Sequence, residues 1–177
     1  TTDESWQVGK GQILSADPMT GEIVDARVDE RTWLLPGGNV IDSLHARVSE
    51  SPSSELICES VERVRDVQRL RATVLKSRPG SQLIDFGQNF SGVVKVRLHG
   101  PSGSVVKLRY SEVLTPDGEL DTKYLTAKGG EWFQTDTVTL GRGPFEYIPR
   151  FSTHGFRYLS VEGNTQLLTE EDLEGIV

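Results

Sequence analysis

The chain has one cysteine, Cys58, so no internal disulfide can form and the redox compartment stays open. With no thiol partner nearby, Cys58 is expected to be a small buried side chain. There are three histidines, His45, His99 and His154. They lie far apart and have no cysteine beside them, so the spacing of a zinc site is absent. No apolar run is long enough for a membrane-spanning helix, and no signal-like segment opens the chain. There is no basic stripe, and the net charge is −7. That balance excludes nucleic acid as a partner, and nothing points to a membrane. No motif calls for a cofactor, and neither a repeat nor a low-complexity tract is present.

What is present is modest but globular. Hydrophobic residues make up 36% of 177 residues. That length suits one domain, or one domain and part of another, with a real core. The sequence opens at Thr1 and stops in the apolar run Gly175-Ile176-Val177, which looks like the start of a strand. Both ends lead to the expectation of a piece of a longer protein, with chemistry elsewhere.

The stretch that organises the rest is Asp85-Phe-Gly-Gln-Asn-Phe-Ser-Gly92. It separates two strand-like runs, Ser81 to Ile84 and Val93 to His99. Its glycines and asparagine permit backbone angles that β-branched residues resist. Such a corner either carries the chain between sheets or rims a ligand site. Around it the sequence reads as short strands and tight turns. Arg78-Pro79-Gly80-Ser81 has the pattern of a type II turn, and Thr115-Pro116-Asp117-Gly118 is another Pro-initiated turn. Val94, Val96 and Leu98 alternate with polar residues, as do Val106, Leu108 and Tyr110, and Gly100-Pro101-Ser102-Gly103 lies between the two runs. This pattern predicts a β-hairpin with one wet face. Further strands are expected over 22–28, 132–140, 145–151 and 156–161. Val61, Val64 and Val67 recur every three residues, but their β-branching favours extended chain over helix. The segment 40–48 is ambiguous between helix and strand. The fold class that follows is all-β, an antiparallel β-sandwich of jelly-roll or concanavalin-like type.

Three motifs carry a family resemblance. They are Asp85-Phe-Gly-Gln-Asn-Phe-Ser-Gly-Val-Val, then Tyr110-Ser-Glu-Val-Leu with Pro116-Asp-Gly-Glu-Leu, then Pro149-Arg-Phe-Ser-Thr-His-Gly-Phe-Arg-Tyr158. In order and spacing they resemble the β-sandwich that precedes the catalytic domain in bacterial α-L-rhamnosidases of glycoside hydrolase family 78. The likeness covers roughly residues 60–177. Asp3-Glu-Ser-Trp6, Gly11-Gln-Ile-Leu-Ser-Ala-Asp17, Gly21-Glu22 and Asp25-Ala-Arg27 resemble the closing strands of the preceding module. The first half of that module is missing and the 33–48 stretch departs from the pattern, which puts an intact rhamnose site in doubt. The expected division is 1–48 as those closing strands, 49–59 as a linker around the polar Ser49–Glu55 run, and 60–177 as the accessory sandwich.

The resemblance implies a parent enzyme that removes terminal L-rhamnose from glycosides with inversion. Inversion needs an acid and a base that share a water. In the family these carboxylates sit in an (α/α) barrel expected beyond Val177, so no catalytic residue is carried over. The barrel of the same parent chain is the expected partner. Carbohydrate is the second, for the alternative reading of a module that binds L-rhamnose or plant glycosides. Self-association through the barrel-facing surface is also expected.

Candidate site residues each have a bland reading. Trp132, Tyr124 and Arg157 form a candidate sugar platform, in which a ring stacks on the pyranose while Arg donates to hydroxyls. Aromatics of a sandwich, however, are commonly core. Asp85, Gln88, Asn89 and His154 form the corner. Their side chains are expected to bond loop backbone, with docking to the barrel as the functional alternative. Asp117, Glu119 and Asp121 alternate as Ca²⁺ ligands do but lack the full loop pattern, so a solvated turn is the reading and no metal site is assigned. Glu112 and Asp121 are a formal carboxylate pair with nothing to show that they face each other. No Ser or Cys nucleophile motif accompanies His154, so a hydrolytic triad is unsupported. His99 falls on the polar face of its strand.

Overall fold

The computed structural model describes residues 3–28, 31–38, 42–50, 53–55, 57–125 and 133–177. In chain order the strands are β1 (Gln7–Val8), β2 (Ile13–Asp17), β3 (Gly21–Asp25), β4 (Leu44–His45), β5 (Arg69–Arg71), β6 (Thr73–Arg78), β7 (Ser81–Leu98), β8 (Val105–Ser111), β9 (Thr135–Thr139), β10 (Phe145–Tyr147), β11 (His154–Glu162) and β12 (Leu173–Ile176). The only α-helical piece among the described residues is a single turn, α1 (Arg31–Leu34). Two compact units result: Thr1–Gly11 with Asp29–Arg65, and Gln12–Val28 with Asp66–Val177.

In the smaller unit β1 pairs antiparallel with β4. The Ala46 amide donates to the Trp6 carbonyl at 2.8 Å. No described residue of this unit is buried. Trp6, Trp33, Leu44, Ile57 and Val61 are all exposed. Cys58 is exposed too, which corrects the expectation of a buried thiol. The chain around it forms no regular element and builds no core over it.

The larger unit is a two-sheet sandwich. One sheet runs β2-β3-β9-β8-β11-β7-β6, and the other runs β10-β7-β12-β5. All pairings are antiparallel except β3 with β9. The strand β7 belongs to both sheets. Its first part, to Gly92, pairs with β6 and β11, and Val93 to Leu98 pair with β12 and β10. The corner motif is therefore the place where the chain changes sheet, as bends and bulges allow. Gly92 sits at the switch, where a Cβ would strike the Ile176 carbonyl of β12. Only glycine permits that approach. The turn into β7 is as expected: Arg78 pairs with Ser81, and Gly80 takes the left-handed φ of 74°.

The predicted hairpin between residues 93–99 and 104–110 does not form. β7 and β8 do not pair; β8 lies between β9 and β11 in the first sheet, while Val93 to Leu98 stand in the second. The Gly100–Gly103 loop is thus an arch between sheets. Alternation reports which face is buried, and an arch buries the same residues as a hairpin. Val94, Val96, Leu98, Val106, Leu108 and Tyr110 are all 0% exposed and enter one core with Phe86, Phe90, Phe156 and Leu159. Both phenylalanines of the corner motif anchor it there. The Phe86 ring meets Phe156 edge-on at 5.6 Å, and the Phe90 ring lies 4.4 Å from it.

Candidate functional site

Two polar clusters lie in the larger unit, both built on β11. The first is sealed in the core. β9 reads Thr-Asp-Thr-Val-Thr, and Asp136 shares the inward face with Val138 and Leu140; all three are 0% exposed. On β3, Glu22 shares the inward face with Val24 and is also 0% exposed. Burying carboxylates is costly unless each oxygen finds donors, and these do. Asp136 Oδ1 accepts from the Glu22 amide at 2.8 Å and lies 3.1 Å from His154 Nε2. Its Oδ2 accepts from the Tyr110 hydroxyl at 2.7 Å. Glu22 Oε1 accepts from the amides of Arg150 at 2.7 Å and Phe151 at 2.5 Å, and Oε2 accepts from the Tyr147 hydroxyl at 3.4 Å. The His154 ring stacks on Tyr110 with centroids 4.1 Å apart.

Both tyrosines are held protonated. Burial, and then the nearby Asp136 charge, push the Tyr110 hydroxyl well above its usual range. Burial, then Asp136 and Glu22, push Tyr147 up in the same way. The expectation that His154 bonds backbone is corrected: its Nε2 donates to the Asp136 carboxylate. Ser152, His154 and Asp136 are all buried, but Ser152 Oγ and His154 Nδ1 each lack a hydrogen-bond partner among the described residues, so the three do not form a triad. Sequence reading missed Glu22, Asp136, Tyr110 and Tyr147. The available signal was a charged residue on the apolar face of an alternating strand.

The second cluster is the corner. Asp85 pairs with Tyr158 and Phe90 with Phe156, so four residues, Phe86 to Asn89, stand opposite Arg157 alone. Arg157 fills the gap. Its Nε donates to Asp85 Oδ1 at 2.8 Å and its Nη2 to Oδ2 at 2.9 Å, while the guanidinium lies 4.9 Å over the Tyr158 ring. Asp85 Oδ1 also accepts from the Gly87 amide at 2.7 Å, and Gly87 takes φ 80°. The Arg157 bonds hold the Asp85 carboxyl below the usual range, against partial desolvation. Asp85 thus fixes the corner through backbone, as expected. Gln88 and Asn89 are exposed at the bulge, and their side chains bond no described residue.

The remaining candidates separate. Trp132 lies outside the described residues. Tyr124 is half-exposed, with its hydroxyl accepting from the Glu112 amide at 2.9 Å. Arg157 is committed to Asp85. In the Thr115 turn, the Gly118 amide donates to the Thr115 carbonyl at 2.8 Å, Glu119 pairs with Lys76 and Arg78, and Asp121 Oδ1 accepts from the Lys123 amide. Among the described residues no group of three His, Cys, Asp or Glu side chains gathers as a metal would need. His99 is half-buried, its amide donating to Asn164 Oδ1.

Residues 75–177 match the family model of the bacterial α-L-rhamnosidase concanavalin-like domain, and residues 1–68 that of the α-L-rhamnosidase N-terminal domain. The chain belongs to the bacterial α-L-rhamnosidase family. A curated α-L-rhamnosidase of Streptomyces avermitilis is 39% identical over 166 residues, which cover 92% of this chain and 16% of that protein. The crystal structure of the Streptomyces avermitilis α-L-rhamnosidase complexed with L-rhamnose superposes with TM-score 0.87 at 37% identity, over 99% of this chain and 17% of that one. The α-L-rhamnosidase from Dictyoglumus thermophilum superposes with TM-score 0.88 at 32% identity, over 99% of this chain and 20% of that one. The chain therefore spans about one-sixth to one-fifth of the length of these relatives.

Proposed function

We propose that this chain is the non-catalytic β-sandwich region of an α-L-rhamnosidase, and that it supports a catalytic (α/α) barrel in the same parent chain. The parent would hydrolyse terminal L-rhamnose from glycosides. The observation that carries the reading is the sealed state of Glu22 and Asp136. An inverting glycosidase holds two carboxylates roughly 6.5–9.5 Å apart around a water, open to substrate. Here every Glu22 and Asp136 oxygen faces a protein donor, and both side chains have no solvent exposure. These carboxylates hold strands together and do no chemistry on a sugar.

The same cluster gives the support role a surface. Glu22 fixes the amides of Arg150 and Phe151, and the Phe151 side chain is 69% exposed. The Asp85–Arg157 pair fixes the bulge that presents Gln88 and Asn89. A rigid rim of this kind suits docking, because little side-chain or loop freedom is lost on association. The domain division proposed with it keeps residues 1–48 as the closing strands of a preceding module, of which β2 and β3 join the first sheet of the sandwich through the β3–β9 pairing.

The test is an assay of the 177-residue chain with an aryl α-L-rhamnoside. The expected result is no turnover above the blank. Turnover that disappears in Glu22→Gln or Asp136→Asn would overturn the reading. The uncovered rim also predicts concentration-dependent self-association in sedimentation. A strictly monomeric chain at high concentration counts against a docking surface there.

A further inference from the structure

The sandwich is completed by a piece of chain that comes from far away in the sequence. The two family-model matches part between residues 68 and 75, so Gln12–Val28 falls in the first of them. In the fold that segment belongs to the larger unit, while Asp29–Arg65, which follows it, belongs to the smaller one. The segment is the β2–β3 hairpin, and it is closed on itself. Gln12 Nε2 donates to the Val28 carbonyl at 2.7 Å, and the Asp25 amide donates to the Gln12 carbonyl at 2.8 Å. Across the turn, Asp17 Oδ1 accepts from the amides of Met19 and Thr20. A two-stranded hairpin is at best marginally stable alone in water, so its place depends on what it pairs with.

Its partner is the outer edge of β9. β3 adds there in parallel, with Ile23, Val24 and Asp25 opposite Thr137, Val138 and Thr139. Main-chain bonds continue past both ends of the pairing. The Gln134 and Thr135 amides donate to the Met19 and Thr20 carbonyls at 2.8 and 3.0 Å, and the Ala26 amide donates to the Thr139 carbonyl at 2.8 Å. Two side chains seat the hairpin: Val24, 4% exposed, enters the core, and Glu22 accepts from the amides of Arg150 and Phe151. Glycines let the chains close at either end. A Cβ on Gly21 would strike the Thr135 carbonyl and Asp136 Oδ1, and one on Gly141 would strike the Ala26 carbonyl. Main-chain bonds to a sheet edge, with places for alternate side chains, are the means by which extended segments are recognised by strand addition. By contrast, no described residue of Asp29–Arg65 is buried.

We propose that the β9 edge and the Arg150–Phe151 loop form a strand-recognition site, filled in cis by Gln12–Val28, which is held as a bound segment and not by the continuity of the chain through Asp29–Arg65. Its occupant is a parallel strand reading Gly-Glu-x-Val: Gly21 passes Thr135, Glu22 meets the loop amides and Val24 fills the core. The hairpin thus clasps residues 1–48 to the sandwich, and a break in Asp29–Arg65 leaves it seated. The site belongs to the larger unit alone and does not depend on the docking role.

The experiment uses the 177-residue chain with a site-specific protease sequence inserted between Ser53 and Ser54, cut after folding. Size-exclusion chromatography of the cut chain at about 10 μM is expected to return both fragments in one peak. Gly21→Ala, whose Cβ strikes β9, and Glu22→Gln, which removes the charge that the loop amides meet, are each expected to weaken the association of the fragments at least about tenfold. Glu22→Gln keeps the shape of the side chain and decides the matter where Gly21→Ala does not fold. Trp33→Ala, on the same fragment but outside the hairpin, is expected to leave the association unchanged. Fragments of the parent chain that separate on cutting overturn the proposal. So does an association that both hairpin variants leave unchanged, or that Trp33→Ala abolishes, because Asp29–Arg65 would then be the element that holds.

Discussion

His154 and Arg157 lie three residues apart on β11, and each is bonded to an aspartate, Asp136 or Asp85. The residue types are alike, but the surroundings are opposite. Asp136 and His154 are 0% exposed at their side chains, whereas Asp85 and Arg157 are 16% and 38% exposed. In the sealed cluster, loss of one partner strands the others with no water to replace it. At the corner, a freed guanidinium returns to solvent. Burial rather than residue type therefore sets the weight of an ion pair, and it also sets its role. The first cluster ties β3, β8, β9 and β11 together, and the second shapes a bulge.

Asp136→Ala leaves the Tyr110 hydroxyl, the Glu22 amide and His154 Nε2 unpaired, and is expected to cost about 3–5 kcal/mol in urea unfolding. A loss no larger than that of a surface mutant would show that water reaches the cluster. Gly92→Ala tests the corner's backbone rather than its charges. Its Cβ meets the Ile176 carbonyl, so β7 and β12 must move apart, at about 1–3 kcal/mol in the same assay. Next comes alkaline pH. Tyr110 and Tyr147 ionise far less readily folded than unfolded. Their contribution is complete below the unfolded value near 10 and falls as pH rises beyond it. Ultraviolet titration should show these two phenolates appearing together with unfolding. The smallest effect belongs to Asp85→Asn, about 1 kcal/mol at neutral pH. Its carboxyl is depressed in the folded chain relative to 3.8, so the stabilisation is present above that value. It is lost as pH falls through the lower folded value. The difference between Asp85→Asn and the parent sequence should close below about pH 4 in an acid series.

Much of the sandwich was legible. The Pro79-Gly80 turn, the inward faces of residues 94–98 and 106–110, and the sheet change at Asp85–Gly92 follow from backbone preferences and period-two burial, which are local. Strand partners are not local. Val106 to Tyr110 carry the same pattern whether they fold back on β7 or cross to the other sheet, so a hairpin was expected where an arch forms. The sealed cluster was hidden for a related reason. Asp136 sits within the expected 132–140 strand, whose threonines suit a pleated surface, and its donors come from residues 22, 110 and 154. Cys58 was misread because the lack of a thiol partner was taken to mean burial, yet the chain around it, Ile57 and Val61 included, is exposed.

Native-state amide hydrogen exchange compares the sealed cluster and the corner in one unmutated sample. The amides of Glu22 and Phe151 donate to the sealed carboxylates, and that of Gly87 donates to Asp85. Glu22 and Phe151 are expected to exchange only through global unfolding, while Gly87 exchanges through local opening, orders of magnitude faster. Equal rates at the three positions, or fast exchange at Glu22 and Phe151, would show that Glu22 and Asp136 face water, and the structural role assigned to them would be wrong.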